Sequence, residues 1–68
     1  MVKITIKAAR VNAGLTQKEA AKRLGISNST LGNWENGQTM PDIKQVEKLC
    51  EMYGVTYDAL NFLPNDSL

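Results

Sequence analysis

Three residues, Gly25-Ile26-Ser27, separate two stretches that each carry the end signals and the apolar spacing of a helix. Upstream, LTQKEAAKRLG opens with a T-x-x-E capping box, in which the Thr16 and Glu19 side chains each satisfy the other's backbone N–H. Leu15 and Ala20 bracket it as a hydrophobic staple, and Gly25 terminates it. Downstream, Ser27 can cap a helix whose inner side is Leu31 and Trp34, at i and i+3, and which stops at Gly37. With so short a connection the two helices must turn sharply on each other, with Ile26 plugging the turn: a helix-turn-helix. Ala21 suits this geometry, because a bulkier residue would hold the crossing helices apart.

The remaining segments read as helices too. Thr5 can cap a first helix, with Ile4 and Ala9 as a small staple, an inward stripe of Ile6, Ala9, Arg10 and Ala13, and Gly14 as a left-handed cap. QTMP, residues 38 to 41, reads as a loop, with Pro41 preset for the first turn of a fourth helix and Asp42 favourable at its positive end. Ile43, Val46, Leu49, Cys50 and Tyr53 recur at helical spacing and are expected to face the core, and Gly54 closes the helix. Thr56 can cap a fifth helix carrying Tyr57, Leu60 and Leu63, before Pro64 and a frayed polar tail. The expectation is an all-α, compact five-helix fold without strands, one domain over 1–68, with a core of about 5–63 and a tail of 64–68.

Composition narrows the function. A chain of 68 residues has one core and buries roughly 60% of the surface its unfolded form exposes. It leaves no room for a ligand-sensing or self-cleaving domain, so no small-molecule ligand is expected. Apolar runs do not exceed two residues, so nothing spans a bilayer and no signal peptide is visible; a cytoplasmic protein is expected. The lone Cys50 cannot form an internal disulfide, and with no histidine present a zinc site of the usual ligands is not expected. No nucleophile-base pairing and no Gly-rich phosphate loop point to catalysis, so neither an enzyme nor a cofactor is expected. The net charge is only +1, yet residues 1–34 hold six basic side chains against Glu19 alone, and residues 35–68 hold Lys44 and Lys48 against six acids. Such a dipole can present a positive face to a phosphate backbone, although solvated charges on helix exteriors would produce it equally.

The third helix is the informative one. If Leu31 and Trp34 point inward, Asn28, Ser29, Gly32, Asn33 and Asn36 lie on the outer side. Asn and Gly are poor helix formers, together costing roughly 1 to 2 kcal/mol against Lys, Glu or Ala. Short amides and hydroxyls can donate to and accept from base edges in a DNA major groove, which admits a helix. Ser27, Asn28 and Ser29 can also be read as capping residues alone. Asn33 lies too deep in the helix for that.

The stretch TQKEAAKRLGISNSTLGNWENG resembles the helix-turn-helix of the phage repressor and Cro family. The likeness extends over about residues 5–63 and rests on Gln17, Ala21, Gly25, the apolar positions Ala20, Leu24, Ile26, Leu31 and Trp34, and the WENG ending. The P-D-I and YGVTYDAL segments match the family's fourth and fifth helices. The resemblance implies a lambda-repressor-like domain acting as a sequence-specific DNA-binding transcriptional regulator, a repressor that occupies an operator. It implies that Gln17 bonds a backbone phosphate at the positive end of the second helix, and that Asn28, Ser29 and Asn33 read bases, with Gly32 on the same face. Ser27, Thr30, Asn36, Gln38 and Thr39 fall near the flanking phosphates, and Lys44 is a further phosphate candidate. Arg10 and Glu35 are implied to form a structural ion pair tying the first helix to the end of the third.

Gly32 departs from the family's usual polar residue. Either it lets the backbone approach a thymine methyl or phosphate closely, or fewer bases are read. Asn can pair bidentately with adenine, so A·T pairs are expected in the half-site. A homodimer spanning half-sites about one helical turn apart is expected, with its interface at the fifth helix and tail, including Tyr57, Phe62 and Leu63. Two alternatives stay open: the antitoxin of a toxin pair, and a protein-interaction module that keeps the fold without DNA.

Overall fold

The structure, a computed structural model, describes residues 3–62. The chain opens with a two-residue strand β1 (Ile4–Thr5), followed by α1 (Ile6–Asn12), α2 (Gln17–Leu24), α3 (Asn28–Glu35) and α4 (Ile43–Tyr53). A 3-10 turn over Tyr57–Ala59 then leads into β2 (Leu60–Asn61). No helix among the described residues is long and apolar enough to cross a membrane.

The helix starts are set by side-chain caps. The Thr5, Thr16, Ser27 and Asp42 side chains accept from the backbone N–H of Ala8, Glu19, Thr30 and Gln45, at 3.1, 3.1, 3.1 and 2.8 Å. Each satisfies a donor that the first helical turn cannot satisfy itself. At Gly25 and Gly54 the chain leaves its helix through left-handed backbone, φ +73° and +70°, where a Cβ would be strained.

The core gathers one face of every helix. Leu31 and Leu49 are fully buried, and Ile6, Ala9, Ala20, Ala21, Leu24, Trp34, Tyr53 and Leu60 close around them. Ala21, at 2% exposure, sits in the α2 face that packs on α3, where its small side chain was required.

Three expectations are corrected. The domain is not all-α with five helices: after α4 comes only the 3-10 turn, and β2 pairs in parallel with β1, Ile4 opposite Leu60 and Thr5 opposite Asn61. Thr56 makes no capping hydrogen bond, and Leu60 leaves the turn in extended backbone, φ −85°, ψ 135°. Pairing with the N-terminal strand satisfies its backbone while burying its side chain, which one more helical turn would not do. Ala13 is exposed, because α1 ends at Asn12 and Gly14, at φ +77°, turns the chain away. Ile43 is 79% exposed rather than in the core: it is the first residue of α4, with Asp42 as cap and Pro41 just outside the helix, and no element among the described residues covers that turn. Leu63 and residues 64–68 lie outside the described residues.

Candidate nucleic-acid interface

The site is assembled from the turn outward. The capping box, with Thr16 N donating to Glu19 Oε1 at 2.8 Å, fixes Gln17 as the first residue of α2. Those bonds from the Thr16 backbone and hydroxyl hold the Glu19 carboxyl below its ordinary range. At the other end of α2, Ile26 N donates to Ala21 O at 3.0 Å, closing the turn and delivering Ser27 as the cap of α3. The Ser27 and Thr30 hydroxyls lie 2.9 Å apart and are hydrogen-bonded to each other.

The α3 helix then divides cleanly. Leu31, Trp34 and Glu35 are buried, Asn28, Ser29 and Asn36 are exposed, and Gly32 and Asn33 lie at the margin, half-buried. The outer edge is therefore wet and rich in amides and hydroxyls. Beyond the helix the chain folds back on it, Gln38 N and Thr39 N donating to Asn33 O at 2.9 and 3.4 Å. This brings the exposed Gln38 and Thr39 beside the end of α3. Lys44 is exposed on the first turn of α4.

Behind this edge runs a chain of hydrogen bonds. The buried Arg10 and Glu35 form an ion pair, Nε to Oε2 at 2.7 Å and Nη2 to Oε1 at 3.4 Å, while Arg10 Nη1 donates to Leu15 O at 3.0 Å. Gln17 Nε2 donates to Glu35 Oε1 at 3.1 Å, and Asn28 Nδ2 donates to Gln17 Oε1 at 3.3 Å. The Arg10–Glu35 pair was legible from the family resemblance. The two amide links were not, because nothing in the spacing shows that a buried carboxylate at the end of α3 reaches the start of α2.

Gly32 belongs to the same neighbourhood. A Cβ there would meet Gln17 Nε2 at 3.6 Å, ordinary van der Waals contact, so the missing side chain would grow toward the Gln17 amide. Neither sequence reading of Gly32 anticipates this.

A second surface was anticipated only at Tyr57 and Phe62, not at Met40 and Ile43. Met40 and Tyr57, 67% and 64% exposed, join the exposed Ile43 along a groove of about 710 Å³ whose floor includes Val46, Cys50, Val55 and Phe62. The Tyr57 and Phe62 rings lean on each other, centroids 5.9 Å apart. The signal was available in part: Met40 and Ile43 bracket Pro41-Asp42, too close to a helix start to be covered by the following turn.

A helix-turn-helix family model matches residues 6–60. The chain belongs to this family, in the repressor and Cro branch that its residues resemble. It is 46% identical over 55 residues to the transcriptional regulator ImmR of Bacillus subtilis, a match covering 81% of this chain and 43% of that protein. It is 38% identical over 50 residues to the cryptic phage CTXphi transcriptional repressor RstR of Vibrio cholerae, covering 74% and 45%. A helix-turn-helix-type transcriptional regulator of Methanocaldococcus jannaschii is 31% identical over 65 residues, covering 96% of this chain and 98% of that one. The chain thus spans about half the length of the first two relatives and nearly all of the third. No solved structure matches it significantly.

Proposed function

We propose that the chain is a sequence-specific, double-stranded DNA-binding transcriptional regulator of phage or mobile-element type, a repressor acting by operator occupancy. The observation that carries this reading is the wet outer edge of α3, held out by a two-helix turn whose every cap is satisfied. Its Asn28, Ser29 and Asn33 side chains offer donors and acceptors at the spacing of one helix face, to a groove about 12 Å wide. The likeness to a named phage repressor supports the sign of regulation.

In this reading Gln17, Ser27, Thr30, Asn36, Gln38, Thr39 and Lys44 contact phosphates around the reading edge and set register and affinity, while the amides set sequence preference. One such module holds a half-site weakly, so two copies act together. The apolar groove beside Met40, Ile43 and Tyr57 is the face a second copy covers. It combines a hollow with projecting side chains, as a two-fold interface requires of a single patch. The domain measures 31 × 23 × 22 Å, and a two-fold pair reading successive major-groove faces must set its α3 helices about 34 Å apart.

The test is a salt titration against a duplex selected from random sequence. Each phosphate neutralised lowers the slope of log K against log salt by roughly 0.9, so several contacts give a steep fall. A flat response, or selection that enriches no sequence, overturns the reading.

A further inference from the structure

The sequence holds a single Asn-Gly step, Asn36-Gly37, and the fold sets it where α3 ends. An asparagine before a glycine is chemically labile, because the next backbone nitrogen can reach the side-chain amide carbon when no Cβ stands in its way. Asn12, Asn28, Asn33 and Asn61 are followed instead by Ala13, Ser29, Trp34 and Phe62. Asn28 and Asn33 also lie within α3, where helical hydrogen bonds hold the next peptide unit, whereas Asn36 is its exposed C-cap. Gly37 is exposed too, in left-handed backbone at φ +76°. In the closed fold the reaction waits: at Asn36 ψ −2° the Gly37 nitrogen eclipses the Asn36 nitrogen rather than its Cβ, and Gly37 N donates to Trp34 O at 3.2 Å. That last-turn bond breaks when the helix end frays, an opening that costs less than global unfolding.

We propose that Asn36 is a spontaneous modification site, and that its conversion to a carboxylate releases the regulator from DNA. The Gly37 nitrogen bonds to Asn36 Cγ as the Cγ–Nδ2 bond breaks, and the side-chain nitrogen leaves as ammonia with the proton that Gly37 gives up. Water then opens the cyclic imide at either carbonyl, leaving an aspartate or its β-linked isomer with no change of oxidation state. The release step rests on the proposed DNA-binding reading, in which Asn36 meets a phosphate. A carboxylate there repels the phosphate instead of donating to it, and it sits unfavourably at the negative end of α3. The β-linked isomer also lengthens the main chain by one atom just before Gln38 and Thr39, whose N–H groups are fastened to Asn33 O. Phosphate contacts through Asn36, Gln38 and Thr39 oppose the fraying, so an operator-bound copy is spared while a free copy ages.

Peptide-mapping mass spectrometry of the chain, aged in mildly alkaline buffer with and without a selected duplex, tests this. Conversion is expected at Asn36 ahead of Asn28 and Asn33, and more slowly with the duplex bound. Asn36→Gln, which would have to close a larger ring, stays unconverted over the same period. The converted fraction, separated by its added negative charge, and the Asn36→Asp variant each bind the duplex roughly tenfold more weakly than fresh protein, a gap that narrows as salt rises. An intact Asn36 amide, or earlier conversion at Asn28 or Asn33, overturns the site. Equal affinity of converted and fresh protein, or equal rates with and without the duplex, overturns the release step. If Asn36 converts but fresh protein binds no selected duplex, the DNA-binding reading itself fails and takes the release step with it.

Discussion

Tyr53 shows how a single buried group couples this fold to pH. It is 7% exposed, and its hydroxyl finds no hydrogen-bond partner among the described residues. Burial, reinforced by the nearby Glu35 carboxylate and opposed by Arg10, pushes its phenol up to about 12 from 10. The native state therefore holds this proton more tightly than the unfolded chain does. The associated stability is fully present below pH 10 and is lost as pH rises from about 10 to about 12, by up to about 2 to 3 kcal/mol. Tyr53→Phe should be neutral at pH 7, or stabilising by up to about 1 kcal/mol, since it removes an unsatisfied buried polar atom. Denaturant unfolding of both proteins at pH 7 and pH 11 checks this: the gap between them should widen in favour of the variant at pH 11, and an equal gap at both would contradict it. Asn33 stands at the opposite extreme. It contributes to no core contact that would require an amide, and Asn33→Ala should leave the melting temperature nearly unchanged or raise it slightly by better helix propensity.

The elements differ in how plainly they are written. The α2–turn–α3 unit was fully legible, because each boundary is a local side-chain cap: Thr16 with Glu19, Gly25, then Ser27. The last segment was misread because Thr56 looks like the same kind of cap, while what decides its shape is Leu60 pairing with Ile4, a contact between chain ends that no short-range signal announces. This yields a direct comparison. Thr16→Ala should cost about 1 kcal/mol, because it breaks a two-way capping box, whereas Thr56→Ala should cost only a few tenths, because its hydroxyl caps nothing. Thermal melts of the two variants measure it, and equal losses would mean that the final turn depends on a cap after all. Ile43 was misplaced for a related reason. Periodicity shows that it shares a face with Val46 and Cys50, but only the tertiary arrangement shows that none of the described residues lies over the first turn of α4. At the candidate site, the α3 edge was visible as a run of amides, whereas the Glu35–Gln17–Asn28 links depend on how two helices cross.

At the scale of the whole molecule, one half of the chain carries the basic side chains and the amide-rich edge, and the other carries the acidic excess and the apolar groove. On the proposed reading a second copy shares the operator, and the groove is the face it covers. Ile43→Asp places a charge on that face without touching the core, since Ile43 is 79% exposed. The variant should stay folded, sediment as a monomer where the wild type associates, and bind a two-half-site operator about 100-fold more weakly while holding a single half-site unchanged. Unaltered sedimentation and affinity would place the dimer contact elsewhere. The central claim, that the outer edge of α3 lodges among bases, is tested most directly by amide and side-chain NMR of the labelled chain as a selected duplex is added. The account predicts that the largest shifts fall on Asn28, Ser29 and Asn33, with smaller ones on Gln17, Thr39 and Lys44, and that Asn33→Ala abolishes the preference for the selected sequence. Shifts confined to the groove around Ile43 and Tyr57, with α3 unmoved, would contradict it.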